Sequence, residues 1–342
     1  MSFKKRKEII KKLEKAVNAR ILTLVTGDRI GMETRIAPDI LPLISEHILN
    51  IGPQEKLALF IYTPGGDTIA GWGLVNLLKQ YCKRLKVLIP FRSLSCGTLI
   101  SLGADEIVMG KHGLLSPVDP SVASPFNPTA PAAGGQISLL PVSVEDMIGF
   151  LDLARKELGI KDKESIAQIL KCLSDKVHPL ALGAVYRARE QSSTLAKRLL
   201  SLHTKDDEKS INKIVKLLTQ ELPTHNYLIG RSEAQDIGLK ISEPNDKIEK
   251  LMWSLYKEYE GWMKLTSPVS SELDLGDAES KKVRYERAAI ESLDDSVLLQ
   301  HIFATDKFVF KTMANHPNSD KPVQQILERI LYQGWIFQRD GR

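Results

Sequence analysis

The chain has 342 residues, of which 43% are hydrophobic and 26% are charged, an ordinary composition for a globular protein with a sizeable core. Its net charge of +5 is spread thinly over 47 basic and 42 acidic residues, whereas a nucleic-acid surface usually shows a dense basic stripe, so we expect no nucleic-acid partner. Three widely spaced cysteines without a CxxC pair indicate neither a disulfide framework nor a zinc site, and they suit a reducing compartment.

The N-terminal segment predicts an amphipathic helix over residues 4–18, with Ile9, Ile10, Leu13 and Val17 at helical spacing and lysines opposite. Such a helix packs on its own core, or it contacts an oligomer partner or, weakly, a membrane surface. The segment lacks the continuous apolar stretch of a signal peptide, and no run approaches 18 apolar residues. We therefore expect a cytoplasmic protein without a membrane span.

The first half of the chain alternates between strand and helix patterns. Apolar strands are predicted at 19–28, 57–62, 84–93 and 106–109, with helices at 37–49 and around Leu74, Leu77 and Leu78. A short helix is also predicted to open after Ser95. This alternation is typical of an α/β fold with a largely parallel sheet.

The second half is predicted to be mostly helical, after a long Pro- and Gly-rich loop at 123–142. Helices are expected to begin after Ser143, over 181–202, before Gly238 and over 246–263. After a linker, two segments alternate like antiparallel strands, and residues 323–331 show a helical pattern. We divide the chain into a main domain, 1–264, and a C-terminal α+β extension, 265–342.

Three short segments carry residues that suit acyl-transfer chemistry. The turn TPGGD (63–67) has adjacent glycines, whose exposed amides can stabilise an oxyanion. Ser95, in RSLSCG, lies between a strand and a helix, the position of an activated nucleophile. Asp119 lies in the Pro-rich loop LLSPVDP. Taken alone, each segment is equally typical of a simple turn, a helix cap or a turn-capping aspartate.

Together, the segments resemble a known superfamily. The stretches LFIYTPGGDT, VLIPFRSLSCGTLISLGADEIVMG, LLSPVDPS, VHPLALGAV and HNYLIGRSEAQDIGL follow one another over roughly residues 5–240. Their order resembles that of the Clp-protease and signal-peptide-peptidase A superfamily, and most closely its serine dehydrogenase proteinase branch. The resemblance implies a Clp/crotonase-like fold and a serine peptidase that assembles into oligomers, with contacts through the helices after residue 143.

The resemblance also implies the roles of individual residues. Ser95 would be the nucleophile, and the amides of Gly66 and Cys96 would form the oxyanion hole. Where Clp peptidase has its histidine, this chain has SPVDP; where Clp peptidase has its aspartate, this chain has His225 before SEAQDIGL. We therefore assign His225 as the general base and Asp119 as its orienting carboxylate, in the chain order Ser, Asp, His.

One competing base stays open among the seven histidines. His178, in KVHPLALG, lies in a stretch that also looks like a family motif, and it could occupy the place where related peptidases put a lysine base. The choice between His225 and His178 cannot be made from the sequence.

The predicted function is hydrolysis of peptide bonds in a peptide or protein substrate through a Ser95 acyl-enzyme. We find no GxGxxG motif and expect neither a metal nor an organic cofactor. Two other classes remain: a catalytically silent interaction module, and a crotonase-like acyl-CoA enzyme that uses backbone amides without a serine nucleophile.

Overall fold

The computed structural model describes residues 3–118, 121–122, 125–131, 137–140, 142–203, 208–222, 224, 227–295, 297–314 and 323–339. The helices are α1 (Phe3–Val17), α2 (Ile40–Ile51), α3 (Thr68–Tyr81), α4 (Cys96–Leu102), α5 (Val144–Asp152), α6 (Lys163–Ser174), α7 (Pro179–Ser201), α8 (Glu208–Lys216), α9 (Arg231–Ile237), α10 (Asp246–Met263) and α11 (Ser271–Leu275). The strands are β1 (Arg20–Thr26), β2 (Gln54–Tyr62), β3 (Cys82–Ile89), β4 (Glu106–Met109), β5 (Ser121–Val122), β6 (Thr129–Pro131), β7 (Ile137–Leu139), β8 (Val142–Ser143), β9 (Ile241–Ser242), β10 (Ser280–Asp294), β11 (Val297–Ala314) and β12 (Val323–Arg339). Single π-helical turns follow α5 and α8.

An eight-stranded sheet runs through the molecule in the order β12-β11-β10-β1-β2-β3-β4-β9. Strands β1, β2, β3, β4 and β9 are parallel, and β10, β11 and β12 continue the sheet in antiparallel pairing. The sequences of the central strands are apolar runs because helices cover both faces of the sheet. The predicted α/β fold, a parallel-rich sheet flanked by helices, is confirmed.

Each face of the sheet packs against its own set of helices. On one face, Leu24, Leu59 and Val87 join a core that includes residues of α2, α3, α4 and α7. On the other face, residues of the parallel strands pack with α1 and α10. The apolar side of α1, including Ile10 and Leu13, is buried in this second core, so α1 packs on its own domain. None of the described helices is long and apolar enough to cross a membrane.

The segment after residue 265 joins the main sheet through β10, which pairs with β1. The predicted antiparallel strands are confirmed, but the predicted helix over residues 323–331 is wrong, because this stretch is the start of β12. Its helical spacing of apolar residues is overridden by pairing with β11 along the whole length of the strand. The division into 1–264 and 265–342 stays a prediction.

Candidate active site

Four separated segments meet beyond the carboxyl ends of the parallel strands. Backbone bridges join Thr63 to Ser93, Arg92 to Leu114, and Leu115 to Ile229. Described parts of the segments that the sequence singled out, residues 63–67, 92–97, 114–118 and 227–230, thus lie side by side at one edge. This edge of a parallel sheet is the usual place for a ligand or active site in α/β proteins.

Ser95 sits at the turn from β3 into α4, as the sequence predicts. Its φ of 50° and ψ of −109° are rare for a residue with a side chain. Such strained strand-to-helix turns present the nucleophile of many hydrolases. Ser95 is half-buried, and its neighbours Ser93 and Ser101 are fully buried. Of these three serines, Ser95 is the one that is partly exposed to solvent.

The Pro-Gly-Gly turn lies directly against Ser95. A Cβ atom at Gly65 would come within 2.8 Å of the Ser95 Cβ and 3.3 Å of its Oγ. On the other side of the turn, a Cβ at Gly66 would come within 2.1 Å of the Ile36 carbonyl oxygen. The turn is therefore confined between Ser95 and Ile36, and both positions need glycine because their φ values are 115° and 153°.

The backbone amides of Gly66 and Cys96 lie on either side of Ser95 and have no partner within the part of the chain that the structure describes. Ile36 binds the carbonyl of Gly65 and the amide of Asp67, so the Gly66 amide between them points away from Ile36. Cys96 is the first residue of α4, where backbone amides lack an intrahelical acceptor. Among the residues that the structure describes, we find no acceptor for either amide. The Ser95 amide differs, since it donates to the Ser116 hydroxyl at 2.8 Å.

The Cys96 side chain contributes packing. It is fully buried, and its Sγ donates to the Asp67 carbonyl at 3.0 Å. Burial, with a smaller contribution from Asp67, raises the pKa of the Cys96 thiol to about 12. A thiol with this pKa stays protonated at neutral pH and is a poor nucleophile, although its sulfur is adjacent to the turn.

A carboxylate holds the strand ends next to the site. Asp28, just after β1, accepts hydrogen bonds from the Tyr62 hydroxyl at 2.7 Å and from Arg92 at 2.6 Å. Burial and the nearby Asp28 raise the pKa of Tyr62, so this phenol remains a donor. The ends of β1 and β2 and the segment after β3 are thereby fixed relative to each other, which stabilises the position of both turns.

Asp119 and His225 lie outside the described residues. The flanking segments are described: Leu115 pairs with Ile229 in an antiparallel bridge, and the Val118 amide donates to the Leu218 carbonyl at 2.8 Å. These bonds hold Leu115 and Ile229 at the same edge of the sheet as Ser95.

His178, the competing base, is the N-cap of α7. It is exposed, its Nδ1 accepts a hydrogen bond from the Leu180 amide at 3.2 Å, and its ring stacks on Phe126. Farther along α7, Gln191 reaches Thr68 beside the Pro-Gly-Gly turn. At 1.5 Å per residue, His178 lies about 20 Å along the helix axis from Gln191. The described arrangement does not bring His178 to Ser95.

The other described histidines are engaged elsewhere in the fold. His47 and His301 bond to each other, His203 bonds to the Leu102 carbonyl, and His112 packs on Trp253. The described part of the chain therefore places no histidine at the Ser95 hydroxyl.

Residues 1–134 match the family described as ClpP-like SDH-type serine proteinase. The match confirms the resemblance predicted from the sequence, and it covers the Pro-Gly-Gly turn, Ser95, Cys96 and Asp119. His178 and His225 lie beyond the matched residues.

Two proteins of Methanocaldococcus jannaschii, both described as uncharacterized, are similar to the chain. MJ0137 is 26% identical over 259 residues, which are 74% of this chain and 79% of that protein. MJ1495 is 26% identical over 248 residues, which are 70% of this chain but 64% of that protein, so the chain spans less than two thirds of it.

Among solved structures, ClpP1 from Listeria monocytogenes is similar, with a TM-score of 0.35 and 17% identity over 70% of this chain and 97% of that one. A point variant of the same protein gives a TM-score of 0.34 and 16% identity over 69% and 98% of the two chains.

Proposed function

We propose that this chain is a serine peptidase whose nucleophile is Ser95. The observation that carries the proposal is the position of Ser95 at a strained turn between two amides, Gly66 and Cys96, for which no acceptor is found among the described residues. Amides preorganised beside a nucleophile stabilise the oxyanion that forms when a carbonyl is attacked. The family match over residues 1–134 supports the same reaction class.

We assign His225 as the general base and Asp119 as its orienting carboxylate. The order of the family motifs supports this assignment, and described residues of the two motifs, Leu115 and Ile229, are joined by a backbone bridge. The remote position of His178 on α7 favours His225 further.

In the proposed reaction, His225 takes the proton of the Ser95 hydroxyl as the oxygen attacks a peptide carbonyl carbon. The amides of Gly66 and Cys96 bind the tetrahedral oxyanion, and the protonated His225 then gives its proton to the leaving amine. Water, deprotonated by His225, attacks the acyl-enzyme, and the serine hydroxyl is restored.

Labelling by a fluorophosphonate, which reacts with activated serines, tests the proposal. We expect labelling of the wild type at Ser95, mapped by mass spectrometry, and none in Ser95→Ala; the buried-serine variant Ser101→Ala is the matched control and should label normally. Loss of labelling in His225→Ala supports His225 as the base. Loss of labelling in His178→Ala instead would assign His178 as the base. A wild type that never labels contradicts the peptidase proposal and favours a silent interaction module or a crotonase-like enzyme.

We also propose that the chain assembles into a homo-oligomer in the cytoplasm. Large apolar side chains are exposed on the helical segment that was expected to form contacts: Phe150, Leu153, Leu158, Leu180 and Tyr186. The three free cysteines suit a reducing compartment. Light scattering on the purified protein tests the assembly, and a monomeric mass at micromolar concentration contradicts it.

A further inference from the structure

A buried cluster of hydroxyl groups supports the Ser95 turn from the side of the LLSPVDP segment. The Ser116 Oγ accepts the Ser95 amide at 2.8 Å and donates to the Pro117 carbonyl at 3.2 Å. The Ser116 amide donates to the Thr98 Oγ1 at 3.1 Å, and the Thr98 hydroxyl donates to the Ser93 carbonyl at 3.0 Å. These bonds link the end of β3, the start of α4 and the 115–118 segment.

The Ser116 hydroxyl offsets two local free-energy costs at the Ser95 turn. The backbone at Ser95, with its φ of 50°, is strained. A buried amide without an acceptor carries a further free-energy cost. Because Ser116 is only 2% exposed, water does not readily replace its hydroxyl as the acceptor. Without that hydroxyl, the Ser95 turn would relax toward an ordinary conformation and redirect the side chain.

The segment that carries Ser116 is itself held by other parts of the edge. Leu115 exchanges two backbone hydrogen bonds with Ile229, at 3.0 Å and 2.9 Å, and Val118 bonds to Leu218. The stretch between Leu218 and Ile229 contains His225. One short segment therefore contacts both the nucleophile turn and the two ends of the stretch that carries the assigned base.

We propose that Ser116 is a positioning residue for Ser95, and that through it the 115–118 segment sets the orientation of the nucleophile. The proposal rests on the proposed serine-peptidase function. Ser116 acts through the Ser95 backbone and does not touch the substrate. Its loss should lower the rate of covalent bond formation and leave binding unchanged, because a displaced nucleophile reacts slowly within an otherwise intact site.

The test is the rate of fluorophosphonate labelling as a function of reagent concentration, in the full-length wild type, Ser116→Ala and Ser101→Ala. Ser101→Ala is the matched control, because it removes a buried hydroxyl whose partners among the described residues are the Gly97 carbonyl within α4 and the Ser93 hydroxyl. We expect Ser116→Ala to lower the limiting labelling rate about 10- to 100-fold with an unchanged half-saturating concentration. The control should stay within about twofold of the wild type, with a similar loss of thermal stability to Ser116→Ala.

Equal limiting rates in Ser116→Ala and Ser101→Ala would falsify the positioning role and leave the peptidase proposal intact. A wild type that never labels overturns both. If Ser116→Ala does not fold, Ser116→Cys replaces it, since sulfur is of similar size and a weaker acceptor. The expected result is then a smaller but clear fall in the limiting rate, and a wild-type rate in Ser116→Cys overturns the role.

Discussion

The backbone of Gly65 lies against the side chain of Ser95, so close that a single added methyl group would come within 2.8 Å of the Ser95 Cβ. The Pro-Gly-Gly turn and the Ser95 turn are thus fitted to each other, although about thirty residues separate them in the chain. The Ser95 side chain occupies the space beside Gly65 that a Cβ atom at Gly65 would need.

Gly65→Ala is expected to abolish labelling at Ser95. The new methyl group would displace the serine, and the φ of 115° is unfavourable for alanine. We expect a fall of at least about 100-fold in labelling rate. Gly149→Ala is the control, because a Cβ there meets no atom within 4 Å. A Gly65→Ala variant that is folded and labels at the wild-type rate contradicts the fit of the two turns.

Thiol labelling tests whether Cys96, the residue next to Ser95, is unreactive in the folded protein. Because burial raises the pKa of Cys96 to about 12 and that of Cys82 to about 11, we expect a maleimide at pH 7.5 to modify Cys172, which is exposed, and to spare the other two. Peptide mapping measures this, and the modified protein should retain fluorophosphonate labelling. Rapid modification of Cys96 in the native protein runs against the described packing.

The buried ion pair between Arg6 of α1 and Glu291 of β10 should dominate the attachment of the N-terminal helix. The two side chains meet at 2.9 Å and are 3% and 0% exposed, and Tyr259 donates to the same carboxylate. Arg6→Ala leaves a buried carboxylate uncompensated, so we expect a loss of about 3–5 kcal/mol in unfolding free energy. Denaturant unfolding measures it.

The exposed Lys4 of the same helix gives the control for Arg6, since Lys4→Ala should change the unfolding free energy by less than about 0.5 kcal/mol. Similar losses in the two variants would mean that the ion pair contributes little.

Acid sensitivity is expected from His47, whose Nδ1 contacts the Ser292 hydroxyl at 2.6 Å and whose Nε2 contacts His301 at 3.1 Å. Burial, with a smaller contribution from His301, lowers the pKa of His47 from 6.5 to about 3. Between these values the unfolded chain binds the proton and the folded chain does not. The unfolding free energy should therefore fall as pH drops from about 6.5 toward 3, by up to about 1.4 kcal/mol per pH unit.

His47→Gln should flatten this pH dependence, measured as unfolding free energy at several pH values. Leu49→Ala, an exposed position on the same helix, is the control and should keep the wild-type slope. An unchanged slope in His47→Gln would assign the acid sensitivity to other groups.

The sequence predicted the parallel part of the fold well because its signals are local. The apolar run Glu106–Met109 and the helix Asp246–Met263 have the predicted bounds, and Ser95 sits at the predicted turn. Each depends on periodicity, caps and glycines within a few residues.

The parts that could not be predicted depend on distant partners. The pattern after Val323 has apolar residues at helical spacing, and only the neighbouring β11 makes it a strand. The contact of Ser116 with the Ser95 amide, across 21 residues, leaves no trace in the sequence beyond two serines. The pair Arg6 and Glu291 is 285 residues apart, and nothing near either residue marks it as buried.

The place of β10 in the sheet has a consequence for synthesis. Strand β1 emerges from the ribosome early, but its antiparallel neighbour β10 emerges only when residues 280–294 have been synthesised. Arg6 likewise lacks its partner Glu291 during this interval. Until then the nascent chain presents an open edge on β1, a template for pairing with other chains. The half that carries Ser95 can therefore be completed only after residues 280–294 have emerged, and a chaperone that shields β1 during that delay would raise the yield of folded protein.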